Sequence, residues 1–435
     1  MRVCRRIARR ICDTPVTRQP RRCHRNFSTF KITRCMAVVI TGYEIQSPLG
    51  CTREESYGSL RAGLPRVGNI QNFDTEGFPF KAAGEVRENG QVIATPSNID
   101  RKVYFLERAL DQLIQNTGLD TRYASTERIM NIGTGIDYID IASFFNHREY
   151  LQPLGSETAY YKTAAQIKKM AVEKQVFGGC NIFTAACVAS AQAIGLSYRM
   201  IKRGLKRAIL TGGSDSMISY VSYMGFYLLG AMATDPNPAI ACKPFDRRRS
   251  GTVLGEGAAV LLLEESSLAR EEEILAEIVG YGCTMDAYAI TDPDPSARQL
   301  AKAIRLALED ANLAPGLIDC VHLHGTGTPK NAPAEYLALR QVFGERVAEL
   351  PVYSMKGQTG HLVGSCTAVE MLGVLHSIRE QEVPPTLNFT ESDPEAPLFV
   401  VRGKPLSLPI RYVLKLNSSF GGHNTAIIIK KYRTD

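Results

Sequence analysis

Short apolar runs alternate with longer amphipathic stretches along most of the chain. Runs at 38–40, 129–133, 208–213, 258–263, 277–281, 320–323, 352–354 and 426–429 have the length of buried strands. Apolar residues recurring every three to four positions predict helices over 103–115, 189–202, 297–311, 334–342 and 368–379. Strands alternating with helices predict a layered α/β fold. The pattern of the first half recurs in the second, and the charged stretch 266–273 is where a duplicated core would divide. No run of 18 apolar residues occurs, so no membrane span is expected.

Composition refines this picture. A chain of 435 residues that is 44% hydrophobic has ample material for a buried core. Its net charge of +7 is misleading, because residues 1–35 hold ten Arg, one Lys and a single acid, Asp13. The remaining 400 residues carry a net charge of −3, which argues against nucleic-acid binding by charge. Residues 1–35 read as a basic extension, either a disordered tail or the product of a start placed upstream of Met36. Their Arg-rich, acid-poor composition also resembles a mitochondrial transit segment. The expected location is cytoplasmic, or the mitochondrial matrix if the extension is a transit peptide. The expected organisation is this extension, a half over 36–268 and a half over 269–435. The seven cysteines of the body are scattered and form no CxxC pair, which fits a reducing compartment and no zinc site.

Candidate chemistry gathers in small-residue turns. Cys187 lies in Phe183-Thr184-Ala185-Ala186-Cys187-Val188-Ala189-Ser190, just before a predicted helix. The helix shows Ala193, Leu196, Met200 and Ile201 on one face, Lys202 and Arg203 in its last turn, and Gly204 at its end. A thiol at a helix N-terminus has its pKa lowered, and the same turn offers a backbone N–H to an oxyanion. Taken alone, Cys187 could equally be an inert buried cysteine. His324 follows a predicted strand in His324-Gly325-Thr326-Gly327-Thr328-Pro329, and His361 ends Lys356-Gly357-Gln358-Thr359-Gly360-His361. Two neutral imidazoles donating N–H to one carbonyl oxygen would stabilise an enolate, and a poised thiol beside them suggests decarboxylative condensation on a thioester. Lys356 could orient a carboxyl group or keep a histidine neutral, and Glu335 could bond Lys356 or cap its helix. Gly421-Gly422 after Phe420 reads as a tight turn near the nucleophile; a phosphate loop would need a following helix and a lysine.

The segments around Cys187, Lys243-Pro244-Phe245-Asp246 with Gly255-Glu256-Gly257, Asp286-Ala287-Tyr288, His324 to Pro329, Lys356 to His361, and Phe420-Gly421-Gly422 follow one order. In that order and at that spacing, over nearly all of 37–432, the chain resembles the β-ketoacyl-acyl-carrier-protein synthases of type II. The synthase II members and discrete polyketide ketosynthases are nearest. The resemblance implies the thiolase-like fold, with five layers αβαβα from two duplicated halves, in a homodimer or a heterodimer. It implies that Cys187 accepts an acyl group from an acyl carrier protein and condenses it with malonyl-carrier protein. His324 and His361 would support decarboxylation, with Lys356 and Glu335 as a supporting pair. The N–H groups of Cys187 and Phe420 would form the oxyanion hole, with Phe420 as a gate. Thr326 and Thr328 would contact the phosphopantetheine arm, which the carrier protein brings; the chain itself would bind no cofactor and no metal. Ile136 and Phe226 would line the acyl pocket.

The chain departs from that family at several points. Asn331-Ala332 replaces a pair that usually ends in Asp. Ser418 and Ser419 replace a Phe and a Gly before the gate, which predicts a stiffer gate and slow exchange of acyl chains. Gly230 stands where a carrier-docking Arg is common. Carrier proteins are usually acidic, so Arg101-Lys102 and Lys202-Arg203 with Lys206-Arg207 are candidate docking patches. A thiolase would need a second cysteine in the C-terminal glycine loop, where Phe420-Gly421-Gly422-His423 has none. A non-catalytic or decarboxylase-only partner subunit, setting chain length in a heterodimer, is the alternative reading.

Overall fold

The computed structural model describes residues 36–96, 99–135 and 162–433. Ten strands form one continuous path: β1 Val38–Gln46, β2 Ile129–Thr134, β3 Gly179–Thr184, β4 Ala208–Ser216 and β5 Leu254–Glu265 from the first half, then β6 Ala276–Met285, β7 Cys320–His322, β8 Val352–Tyr353, β9 Tyr412–Ser418 and β10 His423–Lys430 from the second. Two short strands, Gly68–Asn69 and Ala82–Gly84, attach beside β5.

The order along the path is β8-β7-β9-β10-β6-β1-β5-β4-β2-β3. Read outward from the centre, each set of five runs first, fifth, fourth, second, third. The pairings match as well. In each set the first and fifth strands and the fifth and fourth are antiparallel, while the fourth and second and the second and third are parallel. Antiparallel pairing of β1 with β6 joins the sets.

Helices complete the layers. Helix α1 (Arg101–Thr117) covers β1 and β5, with Asp100 capping its start and Gly118 (φ +59°) ending it. Helices α2 (Ala189–Lys202), α3 (Tyr220–Leu228), α4 (Arg298–Ala311), α5 (Asn331–Phe343) and α6 (Cys366–Glu380) follow. Helix α4 covers β6 and β10, and α2 packs against α6 between the two sets of strands. The architecture is therefore helix, sheet, helix pair, sheet, helix, the duplicated thiolase-like arrangement. Helix α6 is buried on every side from Cys366 to Ile378, as expected of a helix enclosed in the middle layer.

The face expected of α2 differs in part. Leu196 is 39% exposed, and the buried stripe contains Ala193, Ile194, Ser197, Tyr198 and Ile201. Small and hydroxyl-bearing residues let α2 lie close to its neighbours, and Ser197 and Tyr198 satisfy their hydroxyls on Ala193 O and Val279 O at 2.7 Å each. Arg203 caps the helix, and Gly204 (φ +68°) lies one residue beyond. Among the described residues, no helix is long and apolar enough to cross a membrane.

Candidate active site

Strand β3 leads to Ala185, and Ala186 then takes a left-handed conformation, φ +46°. A non-glycine residue held there stores roughly 1–3 kcal/mol and persists only where its surroundings impose it. The bend places Cys187 on a single 3-10 turn, Ala186–Val188, immediately before α2. Gly133 of β2 permits the close approach, since a Cβ there would lie 2.2 Å from Ser190 N. The second half repeats the device. Val363 has φ +45° and opens the turn Val363–Ser365, which runs into α6. Gly364 stands where Cys187 stands in the first turn, and a Cβ on it would lie 2.0 Å from Gly135 N. Asp215 Oδ2 accepts the N–H groups of both Gly135 and Gly364 at 2.7 Å, linking the two halves beneath the site.

Cys187 Sγ lies 3.1 Å from His361 Nε2. On the far side of the ring, Nδ1 accepts the Val363 N–H at 3.1 Å and faces the Cys366 sulfur at 3.0 Å. That arrangement puts the ring proton on Nε2, toward Cys187. The His324 ring stands at 88° to it, with centroids 5.2 Å apart. His324 Nδ1 faces two donors, Asn417 Nδ2 at 3.1 Å and Lys356 Nζ at 3.4 Å, so its proton is on Nε2 as well. Ligand-type atoms of Cys187, His324 and His361 all lie within 4.8 Å of one another, close enough to surround a cation. A cation would require a lone pair on each Nε2, yet N–H donors hold each Nδ1 as the acceptor. The set suits hydrogen bonding to an oxyanion better than metal ligation.

The electrostatics agree with a neutral resting site. Burial pushes the Cys187 thiol up to about 12, against the pull of Lys356 and of the Phe420 N–H. The helix N-terminus predicted a lowered value; at this depth desolvation outweighs the dipole. Burial, and after it Lys356, push His361 down to about 3 and hold His324 well below the usual imidazole range.

Lys356 is wholly buried and donates to Glu370 Oε1 and to His324 O, the latter at 2.6 Å. Its carboxylate partner is therefore Glu370, not the expected Glu335. Glu335, on α5, accepts the N–H groups of His324 and Gly325 at 2.6 and 2.9 Å, so it holds the histidine turn rather than the lysine. Burial pushes Glu335 up to about 7 in spite of those two N–H groups. Ala332, where an acid was missing, sits in an apolar cluster one turn before it. Thr326 and Thr328 join their hydroxyls at 2.8 Å, and the Thr326 N–H donates to Asn331 Oδ1.

One cavity is lined by Cys187, His324, His361, Thr326, Thr328 and Phe420. Phe226 also lines it and stacks on Phe420 at 6.4 Å. Ser419 Oγ donates to Phe420 O at 2.8 Å, and the Gly421 N–H donates to Ile290 O at 2.6 Å, so both sides of Phe420 are tied. Ile136 lies outside the described residues. Arg101 and Lys102 do not form the expected docking patch: Arg101 pairs with Glu256, and Lys102 is buried beside Asp215. Residues that the sequence did not single out include Glu370, Asn417, Cys366, Lys415 and Asp215. A charged residue inside an apolar stretch was the available signal for Glu370 and Lys415.

A strained turn that seats a thiol before a buried helix, with two perpendicular imidazoles above it, defines a condensing-enzyme site in a thiolase-like fold. The profile of the β-ketoacyl synthase N-terminal domain matches residues 36–269, and that of the C-terminal domain matches 275–390. The chain belongs to the β-ketoacyl synthase family. A 3-oxoacyl-[acyl-carrier-protein] synthase 2 from Synechocystis sp. is 33% identical over 410 residues, covering 91% of this chain and 98% of that protein. Among solved structures, a type II polyketide ketosynthase in complex with its acyl-carrier protein superposes with TM-score 0.80 at 25% identity, covering 92% of this chain and all of the other. The ishigamide ketosynthase/chain length factor superposes with TM-score 0.81 at 29% identity, again covering 92% and all.

Proposed function

We propose that the chain is a 3-oxoacyl-carrier-protein synthase, an acyltransferase that joins an acyl group to malonyl-carrier protein with loss of CO2. The observation that carries this reading is the 3.1 Å contact between Cys187 Sγ and His361 Nε2, with a second Nε2–H from His324 facing the same cavity. In the first step Cys187 attacks the thioester of an acyl-carrier protein. Its proton leaves on the departing phosphopantetheine sulfur, and the His361 N–H stabilises the sulfur anion as it forms. In the second step malonyl-carrier protein loses CO2, and the two Nε2–H groups stabilise the enolate oxygen. The enolate carbon then attacks the acyl-Cys187 carbonyl. The oxyanion forms beside the N–H groups of Cys187 and Phe420, a carbon–carbon bond replaces the carbon–sulfur bond, and the released thiolate takes up one proton.

The phosphopantetheine arm belongs to the carrier protein, and Thr326 and Thr328 are the hydroxyls proposed to receive it. Phe226 forms a wall of the acyl site, and Phe420 gates it. We further propose a homodimer, with a second copy covering β3, the outermost strand of its set and only half-buried. The test is intact-mass analysis after incubation with acyl-carrier protein, followed by addition of malonyl-carrier protein. The expected result is an acyl adduct on Cys187 that is discharged as 3-oxoacyl-carrier protein. A protein that decarboxylates malonyl-carrier protein but never acquires an acyl adduct would fit the partner-subunit reading instead.

A further inference from the structure

Behind His324 lies a cluster of ionisable side chains that the reaction above does not use directly. Glu370 receives two lysines: Lys356 on Oε1, and Lys415 on Oε2 at 2.8 Å. All three are essentially inaccessible to solvent. Lys415 and Asn417 alternate along β9 and so share a face, and Asn417 Nδ2 also donates to Glu370 Oε2, at 3.1 Å. The other Asn417 Nδ2–H is the one that reaches His324 Nδ1. Thr367 Oγ1 donates to Asn417 Oδ1 at 2.8 Å, which fixes the orientation of that amide. Across the sheet, His322 of β7 is the register partner of Lys415. Its Nδ1 lies 3.0 Å from Leu323 O, and its Nε2 is buried without a partner.

Two buried lysines in direct contact with one carboxylate need a reason, since a lone lysine would suffice to pair Glu370. The geometry supplies one. Without Lys415, Oε2 of Glu370 would keep only the Asn417 N–H and would draw Asn417 and Lys356 Nζ toward itself, away from the histidine. With Oε2 taken by Lys415 and Asn417, Lys356 meets only Oε1, and its remaining protons reach His324 O and Nδ1. We propose that Lys415 is a positioning residue for His324: it occupies one oxygen of Glu370, so that Lys356 and Asn417 stay aimed at Nδ1 and the neutral ring keeps its Nε2–H toward the cavity. The groups that face His324 are Lys356 before α6, Glu370 of α6, Lys415 and Asn417 of β9, Glu335 of α5 through the backbone, and His361. A second cation in this set also disfavours an imidazolium, whose Nδ1–H would meet the Lys356 and Asn417 donors head-on. Burial above all, then Lys356 and His361, hold His324 well below the ordinary imidazole range, and Lys415 adds a smaller push in the same direction.

This inference rests on the condensing reading, and two half-reactions separate it from that reading. Acylation of Cys187 by hexanoyl-carrier protein uses His361 and the helix α2 turn. Decarboxylation of malonyl-carrier protein uses His324 in addition to His361. The variants are Lys415→Met and Lys415→Gln, the second keeping an N–H for Glu370 but no charge. In both, acylation followed by intact mass should stay within about threefold of wild type, which also reports folding, while decarboxylation falls by about tenfold or more. The acid limb of the decarboxylation profile should move to higher pH, because loss of a nearby cation makes His324 easier to protonate. Unchanged decarboxylation in variants that acylate would overturn the proposal. So would an equal loss of both half-reactions, which would make Lys415 a residue of the fold alone. A wild-type protein that acylates but never decarboxylates would instead overturn the condensing reading.

Discussion

The two halves share a strand order, a strained left-handed residue and a central helix, yet they divide the chemistry unequally. In the first half the turn before the central helix holds Cys187; in the second, the equivalent position holds Gly364. The first half presents its nucleophile among small and apolar neighbours, Ala185, Ala186, Val188 and Ala189. The second supplies both imidazoles and the polar groups behind them: the ionisable Lys356, Glu370, Lys415 and Glu335, and the Asn417 amide. A duplicated scaffold thus brings two turn-and-helix units face to face, and only one of them needs a reactive atom. The other must stay small at Gly364 so that the halves can meet, and its polar side chains are freed to tune the shared cavity.

Several measurements would break or sharpen this division of labour. Cys187→Ala removes the thiol that the first half presents to the cavity, and condensation should fall by about a thousandfold or more, read as 3-oxoacyl product formed. Retention of substantial condensation would mean that another thiol carries the acyl group, with Cys366 the first to examine. Removing one donor from the second half is expected to cost less. His324→Ala should lower decarboxylation by about 10²–10³-fold while an acyl adduct still forms on Cys187. If acylation fell as far as decarboxylation, the two imidazoles would not divide the steps as described.

Gly364→Ala tests the contact between the halves rather than the chemistry. Its Cβ would meet Gly135 N at 2.0 Å, so the variant should lose about 1–3 kcal/mol of stability in denaturant unfolding. The same change at exposed Gly225 or Gly316, where a Cβ meets nothing, should be nearly silent. The protonation state of the first half can be read from alkylation. A thiol held at about 12 is mostly protonated at neutral pH, so the rate of Cys187 alkylation should climb with pH through 9 and 10. A plateau near pH 7 would show that the helix dipole prevails over burial after all. The smallest effect is expected at the gate. Ser419→Gly removes the hydroxyl that ties Phe420 O and should raise turnover with long acyl primers several-fold. No change would leave the gate limited elsewhere.

The strand and helix alternation was readable because most of these strands are short apolar runs and the helices have clear periodicity. Strand β3 shows no clear apolar run because its residues are half-buried at a sheet edge, so Gly179-Cys180-Asn181 carries little apolar signal. In strand β9, Lys415 and Asn417 interrupt the run. Cys187, His324 and His361 stood out since each reactive side chain sits among glycines, alanines and threonines. The groups behind them did not. Glu370 is the lone acid in the apolar stretch of its helix, and only tertiary packing places it between two buried lysines. Cys366 looked like one more scattered thiol, although it lies 3.0 Å from His361 Nδ1.

That last contact makes the site of acylation the sharpest question for the account. The most direct measurement is peptide mapping of the protein after brief exposure to acyl-carrier protein, with and without a chase of malonyl-carrier protein. The acyl mass should appear on the peptide carrying Cys187 and vanish during the chase as 3-oxoacyl-carrier protein forms. An adduct confined to Cys366, or one on Cys187 that persists through the chase, would contradict it.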